Sequence, residues 1–271
     1  MAVEGSSARW VRVEHRGKPW FGRVEGEGIV LVGGAPWDDA QPVGMVLPFE
    51  GTPLLAPVVP PTFYACGINY AGHAKTASAE FGKPIESFWP KAPEIGYRAQ
   101  SAITAHGQPI VLPADAPPNV QAEGELAVVI GRTASHVAEA EALDHVFGYT
   151  ICNDVSQREW QFADRTFWRA KNSDTFKPLG PWIATGIDLD ALVTRIFVNG
   201  EKVEEFATNN MLFGVATYIA TMSRYITLVP GDVIIMGTDG QAPRIAPGDR
   251  IAIEIDGIGT LSNPVVRAGQ R

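Results

Sequence analysis

Three carboxylates between residues 122 and 154 have the types and spacing to bind a metal ion. Glu123 and Glu125 begin an apolar run that predicts a core strand, and Asp154 follows a second such run. Because side chains of a strand alternate between its two faces, Glu123 and Glu125 are expected on one face and Gly124 on the other. Two buried carboxylates repel each other and lose hydration, which a cation would relieve. Oxygen ligands alone favour Mg²⁺, Mn²⁺ or Ca²⁺ over zinc.

The same residues have a purely structural interpretation. Glu-x-Glu is a common pattern at a solvated strand entrance, and Asp154 could instead cap a helix that begins at Ser156. The spacing alone leaves both interpretations open.

The composition predicts a β-rich fold that binds neither nucleic acid nor membrane. The 28 Gly and 21 Pro are scattered and indicate many turns, and 45% hydrophobic residues suffice for a core. A net charge of −8 argues against a nucleic-acid surface. No apolar run is long enough to predict a membrane span, and the N-terminus lacks the apolar region of a signal peptide. Cys66 and Cys152 are expected to be reduced core thiols, so a cytoplasmic location is the simplest expectation.

Strands dominate the elements that must position these residues. Residues 8–32 alternate as a small β unit, and the Pro- and Gly-rich segment after them predicts a linker. We therefore expect a small N-terminal β unit with its linker at residues 1–60 and a larger domain at residues 61–271. Parallel βαβ alternation is not evident, so the larger domain is predicted to be an antiparallel or mixed sheet folded on itself.

Several local elements are predicted within the larger domain. Asn199-Gly200 between alternating runs predicts a hairpin with a type I′ turn. A short helix is expected at residues 138–146, and the longest helix at residues 209–224. Residues 74–88, small and polar with a break at Gly82, are typical of a mobile lid near a site.

The chain resembles the fumarylacetoacetate hydrolase family over roughly residues 62–266. The resemblance rests on motifs in the expected order: GINYAGH, EGELAVVIG, GYTICNDVSQRE, DTFKPLGPW, FVNGE, LVPGDVIIMGT and APGDRIAIEIDGIGTLSN. It implies a mainly β fold with few helices (α+β), built as a mixed β-sandwich roll preceded by a small N-terminal β unit. It also implies a homodimer that binds Mg²⁺, or Mn²⁺ or Ca²⁺, and acts on a small molecule.

The resemblance also assigns roles to individual residues. Glu123, Glu125 and Asp154 match the metal carboxylates of the family, Lys171 its active-site lysine and His73 its catalytic histidine. The candidates for substrate binding are Gln161, Thr238, Tyr70 and Arg158, of which Arg158 could instead brace the metal loop.

Two reaction classes follow from these roles, of which the first is the expected function and the second the alternative. The first is hydrolysis of a C–C bond in a β-diketo or acylpyruvate-type 2-oxo acid through a metal-bound enolate, with His73 activating water. The second uses the same metal site without water attack, as an isomerase or tautomerase, decarboxylase or hydratase. A metal-dependent binding protein without activity is disfavoured, because Lys171, His73 and the carboxylates are all present.

Two positions depart from the family pattern. Many members carry a glutamate three residues after the histidine, but this chain has Thr76 there, which favours the second reaction class and leaves Glu80 or Glu86 as replacements. Asp239 stands where relatives commonly have proline, and is expected to disfavour an anionic substrate tail. Aromatic residues crowd the entry segments and suggest a larger or more apolar substrate; they are Phe63, Tyr64, Phe88 and Trp89.

Overall fold

The protein, for which we describe a computed structural model, is built mainly from β-strands, and the structure describes residues 7–269. The strands are β1 (Arg9–His15), β2 (Lys18–Glu25), β3 (Gly28–Gly33), β4 (Gln41–Pro48), β5 (Leu54–Leu55), β6 (Phe63–Cys66), β7 (Ile95–Arg98), β8 (Ile103–Thr104), β9 (Ile110–Leu112), β10 (Val120–Gln121), β11 (Gly124–Ile130), β12 (Val146–Asn153), β13 (Ser156–Gln157), β14 (Lys177–Ala184), β15 (Val193–Val198), β16 (Glu201–Ala207), β17 (Val233–Ile235), β18 (Arg244–Ile245), β19 (Arg250–Ile255) and β20 (Gly259–Arg267). The α-helices are α1 (Ala71–Phe81), α2 (Arg158–Ala163), α3 (Trp168–Asn172) and α4 (Val215–Ser223). Short 3₁₀ helices cover Pro36–Asp38, Ile85–Ser87, Gln100–Ala102, Glu139–His145 and Leu189–Ala191.

Most strands belong to one mixed sheet in the order β4-β3-β2-β1-β14-β12-β11-β17-β6-β7, with β5 paired to β1 and β8 paired to β14. The N-terminal strands join this sheet because Arg9 of β1 pairs with Ala184 of β14. Strands β6 and β17 run parallel, whereas β12 runs antiparallel to both of its neighbours, β11 and β14. Since the small N-terminal unit shares the sheet, the boundary between residues 60 and 61 stays a prediction about sequence units.

A second sheet, in the order β16-β15-β19-β20-β9, packs on the middle of the first. Leu126 and Ile151 of the first sheet share one core with Ile253 and Leu261 of the second. Strand β11 is buried at every position and is almost continuously apolar, whereas β19 and β20 alternate because only one face of the second sheet packs on the first. The predicted mixed β-sandwich with few helices is therefore confirmed. A small three-stranded sheet, β13-β10-β18, lies beside the acidic residues.

The hairpin was predicted correctly, whereas the prediction of the longest helix was wrong. Asn199 and Gly200 both have positive φ between β15 and β16, as a type I′ turn requires. Helix α4 covers only Val215–Ser223 and is shorter than α1. The residues before it form turns and bends instead of helix, because Leu212 and Phe213 donate their backbone N–H groups to Asn69, at 2.7 and 3.0 Å.

The structure also tests the predicted helix break, the short helix and the state of the cysteines. Helix α1 ends at Gly82, whose φ of 60° closes the helix, so the predicted break is confirmed, while mobility of the lid candidate stays a prediction. The helix expected at residues 138–146 is a 3₁₀ helix. Cys66 and Cys152 are buried free thiols. Within residues 7–269, no helix has the length and apolar character needed to cross a membrane.

Candidate active site

Three carboxylates meet at one end of the strand pair β11–β12. Glu123 directly precedes β11, and the N–H of Asp154 donates to the Glu123 carbonyl at 2.9 Å, which aligns the two strand ends. The candidate ligand atoms of Glu123, Glu125 and Asp154 all lie within 4.8 Å of one another, and all three residues are buried. Gly124 faces the sandwich core, where an added Cβ would stand 3.0 Å from Ile253. The strand thus sends its carboxylates to one side and packs its glycine against the opposite sheet.

Four buried cations surround these carboxylates. Lys171 bridges Glu123 and Asp154, with 2.8 Å between its Nζ and Asp154 Oδ2. Arg98 donates two hydrogen bonds to Asp154, at 2.9 and 2.7 Å, and Lys177 reaches the same carboxylate at 2.7 Å. Lys171 was expected here, but Arg98 and Lys177 were not identified from the sequence. Lys177 lies in the quoted DTFKPLGPW motif, which was the available signal, whereas no local pattern marks Arg98.

Arg158 is the fourth cation and organises the wall beside Glu123. Its guanidinium donates to Gln121 Oε1 at 2.6 Å and to Gln161 Oε1 at 2.7 Å, and it also pairs with Glu123. Arg158 and Gln161 both line the cavity, so both expected substrate-binding residues lie at the site. Since the guanidinium of Arg158 bonds only to neighbouring side chains within the described residues, a bracing role is the one its geometry supports.

The cations are shared unequally among the three carboxylates. Burial acts to raise the pKa of Glu123, but the charges of Arg158 and Lys171 outweigh it and lower this pKa to about 2. For Asp154, burial is likewise outweighed by Arg98, Lys171 and Lys177, so its pKa lies well below the ordinary value. Burial, reinforced by the charges of Asp154 and Glu123, instead raises the pKa of Glu125 to about 8. Glu125 is therefore the carboxylate that still needs a positive partner.

The residues present fit a divalent cation. Among the described residues, the Glu125 carboxylate has one hydrogen bond, accepted from the N–H of Gly237 at 2.7 Å, and no ion pair. Three converging carboxylates are a donor set that hard cations such as Mg²⁺ or Mn²⁺ prefer. Glu123, Glu125 and Asp154 would hold the ion. The alternative of a solvated strand entrance is excluded, because all three are buried.

His73 lies in the first turn of α1 and lines the same cavity as the carboxylates. Burial lowers the pKa of His73, and the charges of Arg158 and Lys171 add to this effect against the opposing charge of Glu123. The imidazole is therefore neutral near pH 7. Its Nδ1 is buried and has no hydrogen-bond partner among residues 7–269. Thr76, one turn further along α1, also lines the cavity.

The loop that follows β17 holds Thr238 in the cavity and fixes the start of α1. Thr238 is buried, and its Oγ1 has no partner within the described part of the chain. Asp239 accepts the backbone N–H of His73 at 3.0 Å and that of Gly240 at 2.8 Å. The same oxygen would stand 2.3 Å from a Cβ at position 72, which explains Gly72. Asp239 thus caps α1, and its carboxylate already accepts two backbone hydrogen bonds.

Tyr70 is the candidate that the structure does not bring to the site. It is fully buried, it is absent from the residues that line the cavity, and its hydroxyl donates to the Thr208 carbonyl at 2.6 Å. Its ring packs edge-on against Phe206 at a centroid distance of 5.4 Å. A tyrosine in a polar loop was taken as a contact for substrate, but here it packs in the core beside the β15–β16 hairpin.

The cavity itself has a volume of about 1270 Å³. Of the aromatic residues expected at its entrance, Phe88 and Trp89 line it, whereas Phe63 and Tyr64 do not. Of the two candidates to replace the missing glutamate, Glu80 lines it and Glu86 does not. The two strand aromatics are instead buried in β6. Of the histidines outside the cavity, His136 is exposed, and the others are partly buried, namely His15, His106 and His145.

The sequence matches two family profiles. The profile described as fumarylacetoacetate (FAA) hydrolase C-terminal matches residues 62–266, and the one described as Rv2993c-like, N-terminal, matches residues 8–57. Protein Rv2993c from Mycobacterium tuberculosis is 41% identical, over 84% of this chain and 83% of its own length. The mitochondrial oxaloacetate tautomerase fahd2 from Xenopus laevis is 38% identical, over 79% of this chain and 68% of its own length.

Solved structures with the same fold include two enzymes. The 2-hydroxyhepta-2,4-diene-1,7-dioate isomerase from Mycobacterium marinum has a TM-score of 0.86 and 37% identity, covering 97% of this chain and 100% of that one. Maleylpyruvate hydrolase from Sphingobium sp. SYK-6, in complex with manganese(II) ion and pyruvate, has a TM-score of 0.77 and 28% identity. That match covers 97% of this chain and 100% of the other.

Proposed function

Because this chain belongs to the fumarylacetoacetate hydrolase family, we propose that it is a divalent-metal-dependent tautomerase or isomerase of a 2-oxo acid. The observation that carries this choice is the unpartnered Nδ1 of His73, beside Thr76 rather than a carboxylate. Moving a proton between carbon and solvent needs a neutral imidazole, whereas activating water for attack benefits from an acidic partner that raises basicity. The named activities of the frog and M. marinum relatives agree with this choice.

His73 and Lys171 would divide the chemistry between them. A divalent ion bound by the three carboxylates would polarise the oxygens of a 2-oxo acid and favour its enolate. Neutral His73 would accept the proton from the carbon next to the carbonyl and return it at the same or a conjugated carbon. The ammonium of Lys171, held by Glu123 and Asp154, adds positive charge near the developing negative oxygen. Thr238 offers its free hydroxyl to the substrate carboxylate.

Hydrolysis of a C–C bond in an acylpyruvate or β-diketo acid is the second candidate. Glu80, which lies two turns after His73 in α1 and lines the cavity, favours it, because a carboxylate there is available to a base that activates water. The maleylpyruvate hydrolase with the same fold supports the same reaction class. Decarboxylation and hydration would use the same residues and remain further alternatives.

The experiment follows the enol absorbance of oxaloacetate and, separately, the mass of acylpyruvate products formed in ¹⁸O-labelled water. With Mg²⁺ the wild type should speed loss of the enol at unchanged mass, and EDTA should abolish this effect. His73→Asn should lose it as well, with the metal site intact. Thr76→Glu should raise acylpyruvate hydrolysis by about 100-fold, the lower end of what a positioned general base contributes. If the wild type cleaves acylpyruvates in a metal-dependent way and does not speed the loss of oxaloacetate enol, the protein is a hydrolase and our proposal is wrong.

The remaining expectations for this protein are also proposals. We propose Mg²⁺ or Mn²⁺ as the ion, with Ca²⁺ as an alternative, a homodimer as the assembly, and the cytoplasm as its location. The dimer rests on the family resemblance, and multi-angle light scattering of the purified protein at several concentrations tests it.

A further inference from the structure

Arg244 lies directly across a strand pair from the wall of the candidate active site. In the β10–β18 pair, Arg244 is in register with Gln121, and the neighbouring Ala122 N–H donates to the Pro243 carbonyl at 2.9 Å. Residues opposite each other in an antiparallel pair place their side chains on one face. The Gln121 side chain reaches into the site, where it accepts from Arg158, so Arg244 shares that face. Arg244 also lines the cavity.

The guanidinium of Arg244 is available to a ligand. Within residues 7–269 it makes no ion pair and no hydrogen bond through its side chain, and the residue is exposed at the cavity. The other arginines of the cavity are committed, Arg98 to Asp154 and Arg158 to Glu123 and two amides. Lys83 is the second cavity cation without a side-chain partner in the described chain, and it follows α1 on a different segment.

The separation between Arg244 and the metal carboxylates suits a small diacid. Gln121 is two residues before Glu123, about 7 Å along an extended chain, and the cross-strand step to Arg244 is about 5 Å. Taken roughly at right angles, these steps put the backbones of Arg244 and Glu123 about 9 Å apart. A 2-oxo acid held at the carboxylates would therefore point a second carboxylate into the reach of the arginine side chain.

Two carboxylates at the loop that precedes Arg244 already accept backbone N–H groups. Asp239, which the sequence suggested would repel an anionic tail, instead accepts two backbone N–H groups. Glu204 accepts the N–H of Gln241 at 3.0 Å and so closes the loop between Asp239 and Arg244. Glu80 and Glu94 also line the cavity and are the groups that would compete for Arg244.

We propose that Arg244 is a specificity-determining residue that binds the distal carboxylate of a dicarboxylic 2-oxo acid. A planar guanidinium matches a carboxylate with two parallel hydrogen bonds, so it selects diacids over monoacids of the same length. This inference rests on the proposed function, because the metal site must hold the 2-oxo end. It departs from the expectations that Asp239 disfavours an anionic tail and that the substrate is larger or more apolar.

The test compares oxaloacetate with 2-oxobutyrate, two four-carbon 2-oxo acids that differ by the distal carboxylate. Binding to the Mg²⁺-loaded protein is measured by isothermal titration calorimetry, together with tautomerase kcat and KM for oxaloacetate. Arg244→Gln should weaken oxaloacetate binding by about tenfold, the effect expected for losing a charged hydrogen-bond pair. KM should rise by a similar factor at unchanged kcat, and 2-oxobutyrate binding should stay within twofold. Lys83→Gln, which removes the other cavity cation without a side-chain partner in the described chain, should change the binding affinity for neither acid.

The outcomes separate this inference from the proposed function. If Arg244→Gln weakens the binding of both acids equally, or of neither, Arg244 does not have the proposed role. Metal-dependent binding by the wild type would then still support the proposed function. If only Lys83→Gln weakens oxaloacetate binding, the distal carboxylate binds on the other side of the cavity, and the role of Arg244 is again overturned. A wild type that binds neither acid in the presence of Mg²⁺ contradicts both.

Discussion

Metal binding should release a proton from Glu125. Burial and the neighbouring charges of Asp154 and Glu123 raise the pKa of Glu125 to about 8, and a carboxylate must be ionised before it binds a cation. At pH 7 about 90% of the protein then carries this proton, so each Mg²⁺ displaces close to one. Apparent affinity should fall about tenfold for each pH unit below 8.

The raised pKa of Glu125 also predicts how the stability of the metal-free protein changes with pH. In the unfolded chain Glu125 has an ordinary pKa of 4.5, so between that pH and about 8 the metal-free folded state holds a proton that the unfolded state has lost. The metal-free protein should therefore lose stability as pH rises through this window, by at most about 5 kcal/mol. Mg²⁺ should restore stability most strongly at the alkaline end, because it replaces the proton there.

The assay is calorimetric titration of the metal-free protein with Mg²⁺ at several pH values, in two buffers of different ionisation enthalpy. The buffer dependence of the heat counts the protons released. Glu125→Gln is the matched control, since it has the same size and no proton to release, and it should bind Mg²⁺ weakly with little buffer dependence. An affinity that does not change between pH 6 and pH 8 would refute the reasoning, and so would unchanged proton release in Glu125→Gln.

Three further predictions address the supports of the site. Asp239→Ala should lower stability by about 1 kcal/mol and reduce turnover, because His73 loses its helix cap, whereas Asp239→Asn should retain both; thermal melts and kcat check this. Lys177→Met should lower stability by about 3 kcal/mol yet tighten Mg²⁺ binding by about tenfold, since a fully buried positive charge beside the metal carboxylates is removed; destabilisation together with weaker Mg²⁺ binding would contradict this. Gly124→Ala should cost about 1–3 kcal/mol by overpacking against Ile253, measured by urea denaturation, and an unchanged midpoint would contradict the close packing.

The sequence was informative where chemistry is local along the chain. Glu123, Gly124 and Glu125 are neighbours, so strand alternation alone placed both carboxylates on one side and the glycine on the other. The type I′ hairpin was equally local, because Asn199-Gly200 carries its own backbone preference. The family resemblance supplied the sandwich, which alternation cannot distinguish from other two-layer folds.

The remaining features depend on contacts between distant segments. Arg98 reaches Asp154 across 56 positions of sequence, and nothing near Arg98 marks it as part of an acidic site. Tyr70 lies outside the cavity because its partners Thr208 and Phe206 hold it in the core, and Thr208 is 138 positions away in sequence. The start of α4 was misplaced for the same reason, since Asn69 takes the backbone donors of Leu212 and Phe213.

The order of the main sheet constrains how the site can be assembled during synthesis. Strand β17 lies between β11 and β6, although it follows both by about a hundred residues or more of chain. Until residues 233–239 have been made, β6 has no neighbour on that side, and α1 lacks the cap that Asp239 provides. The carboxylates, all made by residue 154, therefore wait for a strand that begins about 80 residues later. A nascent chain can present the metal ligands long before it can present His73 against them.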